Sequence, residues 1–477
     1  MPQDRTSTGK ARKAGSRPEN RKKNPSPRPV TARAAALRLL LRIEEGGYSS
    51  LLVRAALSEE RMPDPAERAL AERLVMGVTE RRITLDYMIG RLSSRPLAKT
   101  DPDTRALLRL GIYQLAFCDR IPPHAAVNET VALARPSSRG FVNAILREYQ
   151  RRTEDAPFPL PDGSEGEKLI NSLSVRFSVP EPLCRELVRA YGADRTRAML
   201  EAFSHPAPLT LRVNTLRRSR ESLLAELQGQ GFDAEPTAAS PWGIKIYGGG
   251  IPECLEGELP TAFVEDEAAQ LAAWTLGARP GDRLLDACAA PGTKSLSAAL
   301  EMEDRGEIVA CELRENRLPL INSSASAQGI SIIRTVGRDS SLPYEFSPGE
   351  TPFDRVLCDV PCSGYGTVRR KPEIRYRPVS ETADLPDLQL AILSASASAL
   401  RVGGTLVYST CTLLPRENSG VVKKFLSANP DFSAQAFTLP DGTDAPDGML
   451  TLSPDMALGC DGFFIAKLVR NKYFIRK

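Results

Sequence analysis

The feature that most constrains what this chain can fold into is a change of rhythm after Pro260. Apolar, β-type runs occur at 283–288, 307–312, 331–336, 354–360, 404–410 and 462–469, and helix-length stretches at 294–302, 314–328, 386–401 and 416–428 lie between most of them. Strands separated by helices build a largely parallel sheet covered on both faces, because a crossover between parallel strands needs a helix-length connection. In such a doubly wound sheet, ligands gather outside the carboxyl ends of the strands. Those ends are where chemistry is expected.

The first run ends in Asp286-Ala287-Cys288-Ala289-Ala290-Pro291-Gly292-Thr293-Lys294-Ser295, and a helix follows at once. Small residues let the backbone approach a ligand closely, but the spacing is neither GxGxxG nor a phosphate-binding P-loop. The second run ends at Glu312, whose carboxylate can accept hydrogen bonds from two ribose hydroxyls or serve as a helix-start acid. Asp339, past the third run, offers the same chemistry to an amino group or is a solvated loop acid. Three polar strand tips in succession describe a nucleoside-type cofactor site. The fourth run enters Cys358-Asp359-Val360-Pro361-Cys362-Ser363-Gly364 and the fifth Tyr408-Ser409-Thr410-Cys411-Thr412, so two thiols on neighbouring tips are placed to face one cleft.

Other thiols are read as inert apolar side chains, Cys118, Cys184, Cys254 and Cys460 among them. Nine cysteines without a CxxC pair, and only two histidines, argue for a reducing compartment and against a zinc site. With histidine so scarce, acid/base work falls to carboxylates, lysine or thiols. No window reaches membrane-spanning length, which excludes a membrane partner.

Upstream, residues 1–29 form a basic tail read as disordered, and the first 30 residues carry nine Lys/Arg against two Asp/Glu. Residues 30–152 repeat at helical spacing and are broken at Gly46-Gly47, Pro63, Pro65, Pro96, Pro102, Pro122-Pro123 and Pro136, as in a compact bundle of short helices. A linker at 153–165 precedes a small α+β subdomain at 166–260, with strands at 209–214 and 244–247 and helices at 167–203 and 219–229. Residues 261–477 complete the chain as the doubly wound domain.

The Asp359-to-Gly364 run, the Thr410-Cys411-Thr412 turn and the DACAAPGTKS turn resemble motifs IV, VI and I of the RNA 5-methylcytosine methyltransferases. The tail Arg369-Arg370-Lys371-Pro372-Glu373 resembles the bacterial RsmB/Sun family that acts on 16S ribosomal RNA. Pro123-to-Thr130 and Phe141-to-Arg147 look like the signature of that family's NusB-like domain, and Leu209-to-Asn214 and Asp461-to-Lys467 resemble the segments flanking its core. Two positions depart from the family pattern: Thr293 replaces a glycine, and Glu265-Asp266 stands where Gln-Asp is usual.

The resemblance implies a NusB-like all-α bundle, a small α+β subdomain and a Rossmann-like α/β methyltransferase domain. It implies a cytoplasmic, monomeric and metal-free enzyme that takes S-adenosylmethionine and 16S rRNA, in free or partly assembled form. Cys411 would attack ring carbon 6 of a cytosine, Asp359 would hold the pyrimidine edge, and Cys362 would assist removal of the carbon 5 proton or release of the enzyme. Lys294 either tunes the site or is a surface lysine. Cofactor contacts would come from Cys288, Ala289, Ala290, Pro291, Gly292, Lys294, Glu312, Asp339 and Asp359, and RNA contacts from Arg212, Arg369, Arg370 and Lys371. The helical bundle is expected to position RNA without contributing to the reaction. A pure RNA-binding module would leave both cysteines without a role, and a thiol-redox enzyme would not explain the nucleoside-type turn.

Overall fold

The computed structural model describes residues 31–45, 64–257 and 259–471; the basic tail, the Gly46-Gly47 pair and Pro63 lie outside the described residues. The chain opens with the helices Ala32–Glu44, Pro65–Glu80, Arg82–Leu92, Pro102–Phe117, Pro123–Leu133 and Pro136–Arg152. Pro65, Pro102, Pro123 and Pro136 each stand in the first turn of a helix, where a missing N–H costs nothing, so these prolines start helices as much as they interrupt them. Asp64 and Asp101 accept hydrogen bonds from Ala66 N (2.8 Å) and Thr104 N (3.0 Å), caps worth ~1 kcal/mol each. Leu39, Leu74, Leu85, Leu107, Leu108 and Leu146 fill the core of the bundle. Phe158, in the expected linker, is buried in the same core and stacks on Tyr149, with ring centroids 5.6 Å apart.

The small sheet consists of β1 (Leu209–Val213), β2 (Asp233–Pro236), β3 (Gly243–Tyr247) and β4 (Ala262–Val264), ordered β2-β3-β1-β4 and antiparallel throughout. Because β4 pairs with β1, the sheet extends past residue 260 to Val264. Helix Arg220–Gly229 covers it through Leu223 and Leu227.

The large sheet contains β5 (Arg283–Asp286), β6 (Glu307–Glu312), β7 (Ile333–Gly337), β8 (Phe353–Asp359) and β9 (Leu400–Thr410). Its other edge is built from β10 (Phe432–Ala434), β13 (Met449–Leu452) and β14 (Phe463–Arg470), while β11 (Phe437–Thr438) and β12 (Asp444–Ala445) pair separately. The order is β10-β14-β9-β8-β5-β6-β7, with β5 to β9 parallel and β14 antiparallel to β9. Leu284, Leu285, Val309, Val356, Leu357, Leu406 and Val407 are buried, as strands covered on both faces require. All five parallel strands end on one side, at Asp286, Glu312, Gly337, Asp359 and Thr410.

The helices Gly166–Phe177, Glu181–Tyr191 and Ala193–Ala202 do not cover the small sheet, as the 166–260 unit would have them do. Leu173, Phe177, Leu183, Leu187 and Met199 share a core with Tyr365, Val368, Leu413 and Leu414 from the loops after β8 and β9. These helices therefore brace the cysteine-bearing loops.

Candidate active site

The two strand-tip thiols meet. Asp359, the last residue of β8, lies in register with Ser409 of β9, so the loops leaving these strands start side by side. Cys362 Sγ and Cys411 Sγ stand 3.2 Å apart. The loops are held by polar contacts that do not involve the thiols. Glu417 accepts from Ser363 N (2.8 Å) and Gln389 Nε2 (3.0 Å), Ser363 Oγ lies 2.7 Å from Thr412 Oγ1, and Asn418 Nδ2 donates to the Thr412 carbonyl at 2.9 Å.

Beside the thiols, Lys294 Nζ lies 2.7 Å from Asp359 Oδ2, while Asp359 Oδ1 accepts from Ser409 Oγ at 2.8 Å. Burial alone would lower the Lys294 pKa, but Asp359 and Glu265 outweigh it and hold the ammonium above its usual range. Lys294 is thus an internal cation, with its nitrogen 5.2 Å from the Phe463 ring centroid, rather than a surface helix lysine.

All nine cysteines are free, and eight have thiols pushed up, most of them chiefly by burial. Cys184 reaches about 12 and Cys254 about 11. Cys411 alone is lowered. The Cys362 thiol donates to it, and Lys294 and Lys371 favour its anionic form against the opposing effects of burial and Asp359. Cys362, as that donor, is raised. Within the pair, deprotonation is favoured at Cys411 over Cys362.

The β5 and β6 tips have the chemistry of a nucleoside pocket. Asp286, buried and pushed up to about 6 by that burial, accepts from Ser295 Oγ (2.6 Å) and Cys288 N (3.3 Å) and so fixes the turn Cys288-Ala289-Ala290-Pro291-Gly292. Gly292 has φ +109°, a backbone conformation that side chains rarely adopt, so glycine is required there; an added Cβ would also crowd Ile321, 3.2 Å from its Cγ2. Glu312 Oε1 accepts from Arg314 N (2.9 Å), and its Oε2 lies 3.2 Å from an Arg317 nitrogen. The exposed Asp339 carboxylate is held below its usual range by the hydroxyl and N–H of Ser341. A closely approached backbone turn and carboxylates on successive tips fit S-adenosylmethionine.

The two departures noted in the sequence lie together. The buried Glu265 carboxylate accepts from Ser297 Oγ, stands beside Thr293 and faces Lys294.

Three expected RNA contacts are corrected. Arg212 is fully buried, with its guanidinium 4.1 Å above the Trp242 ring and Nη1 donating to the Val213 carbonyl. Arg369 pairs with the buried Asp461 at 2.9 Å, and Arg370 bridges Asp461 (2.6 Å) and Asp266 (2.8 Å). Moving such arginines to a phosphate would strand buried carboxylates, at a cost of several kcal/mol. The Lys371 charge favours the anionic form of Cys411. Asp286, Glu265 and Glu417 were missed as site residues. The first heads the turn between β5 and the following helix and was available to the eye; the other two act across 32 and 54 residues of chain and carry no local signal.

The chain matches the family model of 16S rRNA methyltransferase RsmB/F over residues 273–469, that of the NusB family over 30–151, and that of the ferredoxin-like domain of RsmF/B-like methyltransferases over 179–250. It is 33% identical to the probable ribosomal RNA small subunit methyltransferase B of Bacillus subtilis, over 92% of this chain and 98% of that protein. The corresponding protein of Synechocystis is 36% identical, over 92% and 99%. Among solved structures, PH0851 superposes over 93% of this chain and 99% of its own (TM-score 0.75, 22% identity). A methyltransferase homologue from Pyrococcus horikoshii does so over 64% and 100% (TM-score 0.54, 26% identity).

Proposed function

Because this chain belongs to the RsmB/F family of 16S rRNA methyltransferases, and is therefore an S-adenosylmethionine-dependent RNA methyltransferase, we propose that it methylates carbon 5 of a cytosine in small-subunit ribosomal RNA through a covalent cysteine adduct. The observation that carries this reading is the thiol pair 3.2 Å apart, next to the Lys294–Asp359 ion pair, with Cys411 the one thiol whose pKa is lowered. Carbon 5 of cytosine is a poor nucleophile until a group adds at carbon 6, and a thiolate suits that addition.

Cys411 Sγ forms the bond to carbon 6, and the electron pair displaced from the ring double bond collects at carbon 5. Asp359, oriented by Ser409 and Lys294, holds the pyrimidine edge near ring nitrogen 3, while the Lys294 charge stabilises negative charge as it develops. The Cys288-to-Gly292 turn, Glu312 and Asp339 would hold S-adenosylmethionine, and the cofactor would supply an electrophilic methyl group to carbon 5 and leave as S-adenosylhomocysteine. A base then removes the carbon 5 proton, the freed C–H electron pair re-forms the ring double bond, and the carbon–sulfur pair returns to Cys411, where the Cys362 thiol, 3.2 Å away, can stabilise the departing thiolate. The target base must be single-stranded or flipped out, since carbon 6 is hidden in a stacked duplex.

Methyl transfer from labelled S-adenosylmethionine to deproteinised small-subunit rRNA, with the product base identified, tests the reading. Cys411→Ser should abolish both methylation and any denaturant-resistant protein–RNA adduct, whereas Cys362→Ala should accumulate the adduct. Substantial turnover by Cys411→Ser would sink the assignment.

A further inference from the structure

The loop after Cys362 runs away from the thiols and into the N-terminal helical bundle. Its first part is tied to the catalytic domain: Gly366 N donates to the Cys411 carbonyl (2.9 Å), and Arg369 and Arg370 pair with Asp461. Its last part, the 3₁₀ turn Pro372–Tyr376, is tied to the bundle. Arg375 is 1% exposed and places Nη1 3.3 Å from both the Glu80 and the Phe177 carbonyl oxygens. The Tyr376 hydroxyl lies 2.9 Å from the Glu80 carbonyl, 2.9 Å from Ser178 Oγ and 3.2 Å from Arg82 N, and the Arg82 guanidinium stacks 3.7 Å from the Tyr376 ring centroid.

Helix Pro65–Glu80 ends and helix Arg82–Leu92 begins at this junction, where helix ends leave carbonyl and N–H groups without partners. Tyr376 takes up one of each, and Ser178 Oγ accepts from Ile83 N at 2.8 Å. Between the two anchored parts sits Lys371, near enough to Cys411 to act on its charge.

We propose that the helical bundle is a working part of the thiol site: through the Arg375–Tyr376 clamp it fixes the far end of the loop that carries Cys362 and Lys371 and bonds through Gly366 to the Cys411 carbonyl, and so sets the reactivity of that thiol. Lys371 and Tyr376 are then positioning residues. The inference rests on the reading of Cys411 as nucleophile. It opposes the expectation that residues 30–152 serve RNA positioning alone. The groups that face Cys411 are Cys362 and Lys371 from this loop, Asp359 from the end of β8 and Lys294 from the helix after β5. Of these, Lys371 is carried on the segment leading into the clamp, and Cys362 lies on the catalytic-domain side of the Gly366 anchor.

The test uses full-length protein with Tyr376→Phe, Ser178→Ala, Lys371→Met and the double variant Tyr376→Phe/Lys371→Met. The rate of Cys411 alkylation by iodoacetamide is followed against pH, together with kcat and the Kd for small-subunit rRNA. Tyr376→Phe is expected to move the alkylation profile to higher pH and to lower kcat by roughly 3- to 10-fold at neutral pH with the RNA Kd unchanged. Lys371→Met should also move the alkylation profile to higher pH, and the double variant should move it no further than the larger single shift, because both act through one loop. Ser178→Ala, which removes part of the same junction, should shift the profile in the same direction and keeps the test open if Tyr376→Phe fails to fold. Unchanged alkylation and kcat in Tyr376→Phe and Ser178→Ala, with only melting temperature or RNA affinity reduced, would overturn the proposal and leave the clamp as a domain joint. Failure of the underlying reading is separately visible, as methylation by Cys411→Ser in an otherwise unaltered chain.

Discussion

Arg212, Glu265 and Glu301 form a cluster of inward-facing charge that sets the pH response of individual residues. Burial lowers the Arg212 guanidinium to about 10 and pushes Glu301 up to about 8, with Arg212 opposing the latter shift. Folded Glu301 thus keeps its proton while the unfolded side chain, near 4.5, has lost it. The native state binds more protons across that window, so this residue's contribution to stability is full below about 4.5 and is lost as pH rises through about 8. Glu301→Gln has no proton to lose. Its denaturant midpoint should match the wild type at acid pH and exceed it increasingly toward pH 8; a constant difference across that range would refute the account. Glu312 makes a second test. Removing a charged acceptor of the ribose hydroxyls costs about 1.5–3 kcal/mol, so Glu312→Ala should weaken S-adenosylmethionine binding by roughly 10- to 150-fold in calorimetry. An unchanged Kd would make Glu312 a helix-start acid. Its place at a strand end was readable because β6 is a local apolar run. The burial of Arg212 was not, since it arises from Trp242, Glu265 and Glu301, which reach it from distant parts of the chain.

At the scale of elements, the site depends on how closely three loops approach. Gly366 N bonds to the Cys411 carbonyl, and Gly462 N, just before β14, bonds to the Gly366 carbonyl at 2.8 Å. A Cβ on Gly366 would stand 1.9 Å from the Gly462 carbonyl oxygen. Neither backbone can yield without moving the loop that carries Cys362 or the one that carries Cys411. Gly366→Ala should therefore cost about 1–3 kcal/mol in thermal or denaturant unfolding. It should also cut methyl transfer sharply while S-adenosylmethionine affinity is retained, because the cofactor turn lies on β5 and β6. Full activity in this variant would show that the approach is dispensable.

For the whole molecule, charge is divided unevenly along the chain. The first 30 residues carry nine Lys/Arg against two Asp/Glu, and several basic residues of the catalytic domain are committed to internal pairs. Deleting residues 2–30 should weaken RNA binding at low salt and flatten the dependence of log Kd on log salt, since fewer counterions are released on binding. kcat at saturating RNA should not change, because the residues assigned to the reaction, Lys294, Asp359, Cys362 and Cys411, lie outside the deleted segment. An identical salt slope for the two proteins would locate the electrostatic contact elsewhere.

Alternating apolar runs, helix-length spacers, proline breaks between helical stretches and cysteines just past strand ends are all short-range patterns. They are read from neighbours within a few residues, and from them followed the doubly wound domain, the helical bundle and the two thiols at neighbouring tips. Other outcomes depended on segments far apart in sequence. β14 runs antiparallel to β9, the helices at 166–202 brace the cysteine loops instead of the small sheet, Arg212 and Arg369 lie inside, and Tyr376 reaches across 296 residues to close the junction at Glu80. A chain states which residues are apolar, cationic or turn-forming, but strand direction, the partner of a buried charge and the distance between two loops are decided when remote segments exclude water together. For that reason the cysteines were legible before the fold, and the helical domain's hold on them was not.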